Sequence, residues 1–265
     1  MGAQCENKNA QNYDLYARHT MSSPVHTVSL SDYYIGETEV TQELWQAVMQ
    51  LTPTLCGERW HVEYGIGPEL PAYFVSWNDC QAFIDKLNLL LEKQLKGYIF
   101  SFPTEAQWEF ASRGGVYAKV KEERYCYNFA GGAALDNIAW YREKHAHPVK
   151  FKLPNELGIY DMSGNVAEWC ADKFYSYSMS DGEYLKYSNE HVIDPYIVDD
   201  GVDRPYRGGS WTSDKDQCLL FVRNISVAKH REKNIGLRLA LYRKKQNWVK
   251  GQKSGKIQPA PYEEE

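Results

Sequence analysis

The segment Gly158-Ile-Tyr-Asp-Met-Ser-Gly-Asn-Val-Ala-Glu-Trp169 sets two carboxylates, Asp161 and Glu168, at the ends of a short loop containing Gly and Asn. A hard cation such as calcium takes carboxylate and backbone carbonyl oxygens together, and a loop of this kind offers both, with carbonyls at alternate positions such as Gly164 and Val166. The same spacing also describes a tight turn whose acids cap backbone amides. Thiols are the second reactive group. The six cysteines (Cys5, Cys56, Cys80, Cys126, Cys170, Cys218) are scattered with no CxxC pair, which argues against a structural zinc site and a dense disulfide framework, while leaving room for one or two bridges. Cys218 reads as a small buried hydrophobe between the Trp211 loop and Leu219-Leu220. His145-Ala-His147 could hold a metal, but no carboxylate or thiol is recognised at ligand spacing, so it is left as a solvated loop. HExxH, GxSxG, Walker and GxGxxG strings are absent, which removes support for the common hydrolase and nucleotide chemistries. Asn224-Ile225-Ser226 is a glycosylation sequon by pattern alone.

Three helices are expected to position these groups. Thr41 caps the first, with Leu44, Trp45, Val48 and Met49 on its inward stripe. Ser76 caps the second, with Asp79 three residues on, and Cys80, Phe83, Ile84, Leu87, Leu90 and Leu91 point inward until Gly97 stops it. Pro103-Thr104 and Gln107 form a capping box for the third, which buries Trp108 and Phe110 or Ala111 and ends at Gly114-Gly115. Short strands are expected from Val25 and over Tyr33 to Glu39. From Gly115 to Tyr242, aromatic and aliphatic runs alternate with Gly, Asn, Asp and Pro clusters, so that half is loops and short strands. Residues 1–24 read as a polar lead-in, or the remnant of an N-terminal strand; 25–242 form the domain; 243–265 form a polar tail expected to be disordered.

A chain of 265 residues can bury a core without staples. Its net charge of -5, with no basic stripe beyond Arg243 to Lys256, argues against nucleic acid. No apolar run approaches a membrane span, and the first residues lack the apolar stretch of an export signal.

Taken in order, His26-Thr-Val-Ser-Leu, Gly36-Glu-Thr-Glu-Val-Thr41, Pro71-Ala-Tyr-Phe-Val-Ser-Trp77, Phe102-Pro-Thr-Glu-Ala-Gln-Trp-Glu-Phe110, the Gly158 to Trp169 block, Arg207-Gly-Gly-Ser-Trp211 and Gly236-Leu-Arg238 resemble the formylglycine-generating enzyme, or sulfatase-modifying factor, family over residues 25–242. The resemblance implies an α+β, C-type-lectin-like fold with few helices, short twisted antiparallel strands and much irregular loop. It assigns structural calcium to Asp161, Gly164, Val166 and Glu168, with Asp161 standing where the enzyme has Asn. A second calcium site would use Asn137 and Ile138, but its remaining acidic ligand finds no match in Arg142 to Lys152. The family's copper(I)-binding cysteine pair, five residues apart, falls on Ser213 and Cys218. A hydroxyl is a hard, protonated ligand that cannot replace a thiolate on copper(I), so copper and formylglycine-generating oxidation are not expected.

The same framework is similar to lectin-like variable proteins diversified by retroelements, whose blocks match Trp211, Cys218, Arg223 and Gly236-Leu-Arg-Leu239. That layout points to recognition of a protein, small-molecule or glycan ligand by Trp211, Thr212, Ser213, Asp214, Lys215, Gln217, Phe221, Arg223 and His230. A metal-dependent oxidase acting on a cysteine or other thiol substrate, and a structural subunit of a surface or secretion assembly, are the alternatives. Members of the family that use non-haem iron carry its histidines in a separate N-terminal domain. Family sequences also have a Gly-rich strand ending in Met-Gly where this chain has Met1-Gly2. An extracytoplasmic or surface location is expected if the start is truncated, and a cytoplasmic one otherwise.

Overall fold

The computed structural model describes residues 1, 26–52, 54–55, 58–118, 128–174, 191–198 and 202–244. In chain order these form β1 (Val28–Ser29), β2 (Tyr34–Ile35), α1 (Gln42–Met49), β3 (Thr54–Leu55), β4 (Glu58–Arg59), α2 (Trp77–Leu90), α3 (Glu92–Leu95), β5 (Tyr98–Ser101), α4 (Glu105–Ser112), α5 (Leu135–Ile138), β6 (Ala167–Trp169), β7 (Val192–Ile193), β8 (Asp203–Arg207), β9 (Arg223–Val227), β10 (Ile235–Gly236) and β11 (Ala240–Arg243). Short 3₁₀ turns cover Gly115–Tyr117 and Lys215–Cys218. The expected architecture of few helices, many brief strands and long loops is what folds. Pairing is mostly antiparallel, but β1 with β7 and β10 with β6 run parallel.

The three expected helices start where their caps predict. Thr41 accepts a hydrogen bond from the Leu44 amide, and Ser76/Asp79 and Thr104/Gln107 each form a reciprocal capping box, so the free amides of the first turns are satisfied locally. Their ends and faces differ from expectation. Helix α2 stops at Leu90, and Leu91 leaves helical geometry before the single turn of α3; Leu90 is 54% exposed instead of inward, while Leu91 packs against the main core. Leu44 is also exposed, leaving Trp45, Val48 and partly buried Met49 as the inward groups of α1, while in α4 Trp108 is buried with Ala111, the second of the two expected alternatives, and Phe110 is exposed. The strand expected over Tyr33 to Glu39 pairs only at Tyr34–Ile35, and the first strand begins at Val28. The expectations for residues 2–24 and for the tail from 245 onward lie outside the described residues, while Arg243 closes β11 against Tyr98 of β5.

The main core packs α1 on α2 through stacked Trp45 and Phe83 (centroids 5.0 Å), and continues through Tyr73, Val75, Trp169 and Leu237, all fully buried.

The four-stranded sheet, in the order β10-β6-β8-β9, positions the site. Antiparallel pairing of β6 with β8 sets Glu168 opposite Arg207, and parallel pairing sets Gly236 beside Glu168. The loop entering β6, the loop leaving β8 and the residues entering β10 therefore share one end of the sheet. Those three segments carry Asp161 to Val166, Gly208 to Asp214, and Lys233-Asn234.

Candidate functional site

At that end a fully buried charge cluster forms. Glu168 lies in β6 with both carboxylate oxygens taken: Arg238 donates through Nε and Nη2 at 2.7–3.1 Å, and Trp108 donates through Nε1 at 2.6 Å. Arg238 also donates to the carbonyls of Gly36 and Tyr160, which clamps the β2 end and the loop to the sheet. Asp161 sits at φ +60°; its Oδ2 accepts from the Lys150 amide, and its Oδ1 is buried with no partner. Glu39 reaches in from the segment before α1 and accepts from the Val166 amide at 3.3 Å. Burial, and then the nearby Asp161, push Glu39 well above the usual carboxylate range, and burial pushes Asp161 up to about 6.

Three buried carboxylates thus face one guanidinium, and one carboxylate oxygen lacks any donor. That combination fits a divalent cation, since buried charge must be neutralised by a proton, a partner or a metal. The donors differ from the expected set in one respect: the Glu168 side chain is already held by Arg238 and Trp108, so Asp161 is the acid with an oxygen to spare. Among the described residues no group of three His, Cys, Asp or Glu side chains is arranged as a metal site, so a cation here would draw on backbone carbonyls as well. Glu39 was invisible in the sequence because its partners lie 126 and 127 positions away.

At the other expected calcium position, the Asn137 carbonyl accepts from the Leu153 amide, Ile138 is buried among apolar groups, and the ammonium of Lys152 donates to the adjacent Asp136 carbonyl.

Ser213 and Cys218 are brought together around one amide. The Ser210 N–H donates to Ser213 Oγ at 3.0 Å and also engages the Cys218 thiol, so the two side chains flank the same backbone group. Both are buried. Burial pushes the Cys218 thiol up to about 12, which leaves it protonated and unreactive near neutral pH. Cys218 packs among Phe129, Leu135, Ile138 and Ala139 with Leu219 alongside, whereas Leu220 joins the Trp108 cluster; the expected packing against both leucines is corrected to the α5 side. Gly209 permits this approach, because a Cβ there would lie 2.8 Å from Cys218 Sγ. Among the described cysteines, Cys80, Cys170 and Cys218 are free and buried.

The nine positions read as a binding face divide. Thr212, Asp214, Lys215 and Gln217 are exposed on the loop after β8; Trp211, Ser213 and Phe221 are buried, Phe221 in a separate cluster with Val222. Arg223 is tied to Glu105 at 2.6 Å, and His230 lies 3.7 Å from Glu232. Two further loops, missed in the sequence, complete the surface. The Glu143 and Arg142 amides donate to the Trp211 and Ser213 carbonyls, and the Ala146 amide donates to the Tyr64 carbonyl. Tyr64 stacks on Trp211 (5.9 Å, 28°), Lys233 lies over both rings, and Asn234 Nδ2 donates to Thr212 Oγ1 and Ser210 Oγ. Glu143 folds to 3.8 Å from His147 Nε2, but among the described residues the His145-x-His147 pair and this carboxylate do not form a metal-holding group; burial, and then His145, lower the His147 imidazole.

The model of the Sulfatase-modifying factor enzyme 1-like domain (FGE-sulfatase) matches residues 2–243. The chain belongs to this family. Among FGE-sulfatase relatives, it is 26% identical to a formylglycine-generating enzyme of Streptomyces coelicolor, covering 82% of this chain and 81% of that one. It is 32% identical to a chaperone protein, LppX, of Paenibacillus barcinonensis, covering 54% of this chain and 63% of that protein. Its fold superposes on Treponema denticola variable protein 1 with a TM-score of 0.67, 30% identity and 91% of each chain covered. No described helix is long and apolar enough to cross a membrane.

Proposed function

We propose that this FGE-sulfatase domain is a ligand-binding module without formylglycine-generating activity, and that its binding face is the end of the four-stranded sheet where the Tyr64, Glu143–His147, Trp211–Asp214 and Lys233–Asn234 segments meet. The observation that carries the first half is the pair Ser213 and Cys218: a hydroxyl and a protonated, fully buried thiol flank the Ser210 amide where the family's chemistry needs two thiolates. The second half is supported by four loops cross-linked through backbone and side-chain hydrogen bonds around an aromatic pair, on a chain similar at 30% identity to a variable protein. A thiol oxidase and a structural subunit of an assembly are the competing readings.

Two measurements separate them. Incubated with copper, a reductant and a Cys-x-Pro-x-Arg peptide, the protein is expected to leave the peptide mass unchanged; conversion would overturn the non-oxidase reading. Thr212→Arg is expected to abolish capture of ligands from glycan arrays and from partner extracts without lowering the melting temperature. Identical capture by both proteins would remove the binding face.

Calcium belongs to the same proposal. Asp161, with the Gly164 and Val166 carbonyls, would hold it, Glu39 and Glu168 would supply surrounding negative charge, and the ion would lock the loop entering β6. Chelation is expected to lower the melting temperature, by an amount equivalent to about 3–4 kcal/mol at saturating calcium. Asp161→Asn should shrink that effect; a melt indifferent to chelator in the unaltered protein would dismiss calcium.

A further inference from the structure

The loop entering β6 is tied by hydrogen bonds to the segments of the proposed binding face, and most of the ties meet at one residue. Asn165 is fully buried, so no ligand touches it, yet its four polar groups are all engaged. Its amide donates to the Trp140 carbonyl at 2.8 Å, and its carbonyl accepts from the Trp211 amide at 2.7 Å. Its Oδ1 accepts from the His147 amide at 3.0 Å, and its Nδ2 donates to the His147 carbonyl at 3.2 Å. Close by, the Ala167 amide donates to the Asn234 carbonyl and the Gly164 amide to the Gly208 carbonyl. Tyr64 is reached through its stack on Trp211 and through the Ala146 amide, which donates to its carbonyl.

The same loop carries Asp161, whose Oδ1 is buried without a partner and whose Oδ2 accepts from the Lys150 amide. Between the two, Asn165 Nδ2 and the Val166 amide reach the oxygens of Glu39 at 3.5 and 3.3 Å. Asn165 stands at φ +58°, a left-handed conformation that asparagine tolerates; glycine would keep this backbone and remove only the side-chain bonds. The loop therefore has a carboxylate oxygen in need of a partner at one end and the anchors of the face at the other, joined by buried, directional bonds. When such a segment opens locally it frees both sets of groups together, so whatever holds one set closed raises the free energy of opening the other.

We propose that Asn165 is a positioning residue that couples the Asp161 loop to the binding face, so that a divalent cation held by Asp161 orders the Trp211 and Glu143–His147 segments and strengthens their hold on ligand. By linkage, bound ligand tightens the hold on the cation by the same factor. The inference rests on the calcium and binding-face readings above. Its test uses calcium alone: amide hydrogen exchange of the full chain, followed residue by residue by NMR with and without the ion, beside calorimetric titration. In the unaltered protein, calcium is expected to slow exchange tenfold or more at Lys150, which reports the Asp161 loop, and by a similar factor at Trp211 and Ala146, which report the face. In Asn165→Gly, Lys150 should still slow while the response at Ala146 falls below twofold; in Asp161→Asn, the response should shrink at all three. Slowing at Lys150 with Trp211 and Ala146 unchanged overturns the coupling and leaves calcium standing, as does a full response at Ala146 in Asn165→Gly. If Asn165→Gly does not fold, the comparison of the three amides in the unaltered protein decides. No heat of binding and no response at Lys150 removes calcium and the coupling together.

Discussion

Arg238→Met is expected to destabilise the domain by about 3–5 kcal/mol, as measured by urea unfolding at neutral pH, because it removes the single positive charge from a pocket holding Glu39, Asp161 and Glu168. Set against the roughly 5–15 kcal/mol of a typical domain, that is a large fraction of its stability. The cost comes less from the lost attraction than from leaving carboxylates buried without a counter-charge. Arg238 also loses its hydrogen bonds to the Gly36 and Tyr160 carbonyls, so the clamp between the start of the chain's core and the loop entering β6 opens. Adding Glu168→Gln to Arg238→Met should restore part of the stability, since it removes one of the stranded charges; a double variant no more stable than the single one would show that packing, not charge, sets the cost. Added calcium should also stabilise the single variant more than the unaltered protein if the loop takes the ion.

Gly164→Ala is expected to cost about 2–5 kcal/mol, the sum of a left-handed backbone that alanine disfavours and forced displacement of packed atoms. Gly164 has φ +89°, and a Cβ built on it would lie 2.3 Å from the Trp140 carbonyl oxygen, a backbone atom that cannot rotate away. The neighbouring Asn165 amide donates to that same carbonyl, and Asn165 Oδ1 accepts from the His147 amide. Displacement would therefore propagate into the Glu143–His147 loop. Thermal unfolding of Gly164→Ala beside Gly132→Ala, where a Cβ meets open space, provides the control. Equal melting temperatures for the two variants would show that the loop yields at no cost.

Local signals carried far in this chain. Thr41, Ser76 and Thr104 announced three helix starts because capping is settled within four residues, and the interactions formed there as expected. Ordered blocks from His26 to Arg238 indicated the family and its α+β fold, and the two acids at 161 and 168 marked the loop that enters β6. Helix ends and exposure were less legible: Leu90 and Phe110 had the right spacing for burial, but what covers a helix face is supplied by distant segments.

Long-range placement was decided by the tertiary structure alone. Nothing near Glu39 foretells its place beside Val166, and nothing near Glu168 foretells that Arg238 occupies its carboxylate. Likewise, the residue types at 213 and 218 were legible as an oxygen and a sulfur, but only the fold shows both turned onto the Ser210 amide and sealed from water. Tyr64, Glu143 and Lys233 belong to the surface for the same reason. Helix caps and family blocks are read from neighbours along the chain, whereas the charge cluster, the thiol's burial and the Tyr64–Trp211 stack depend on contacts made when loops at one end of a sheet are folded against each other.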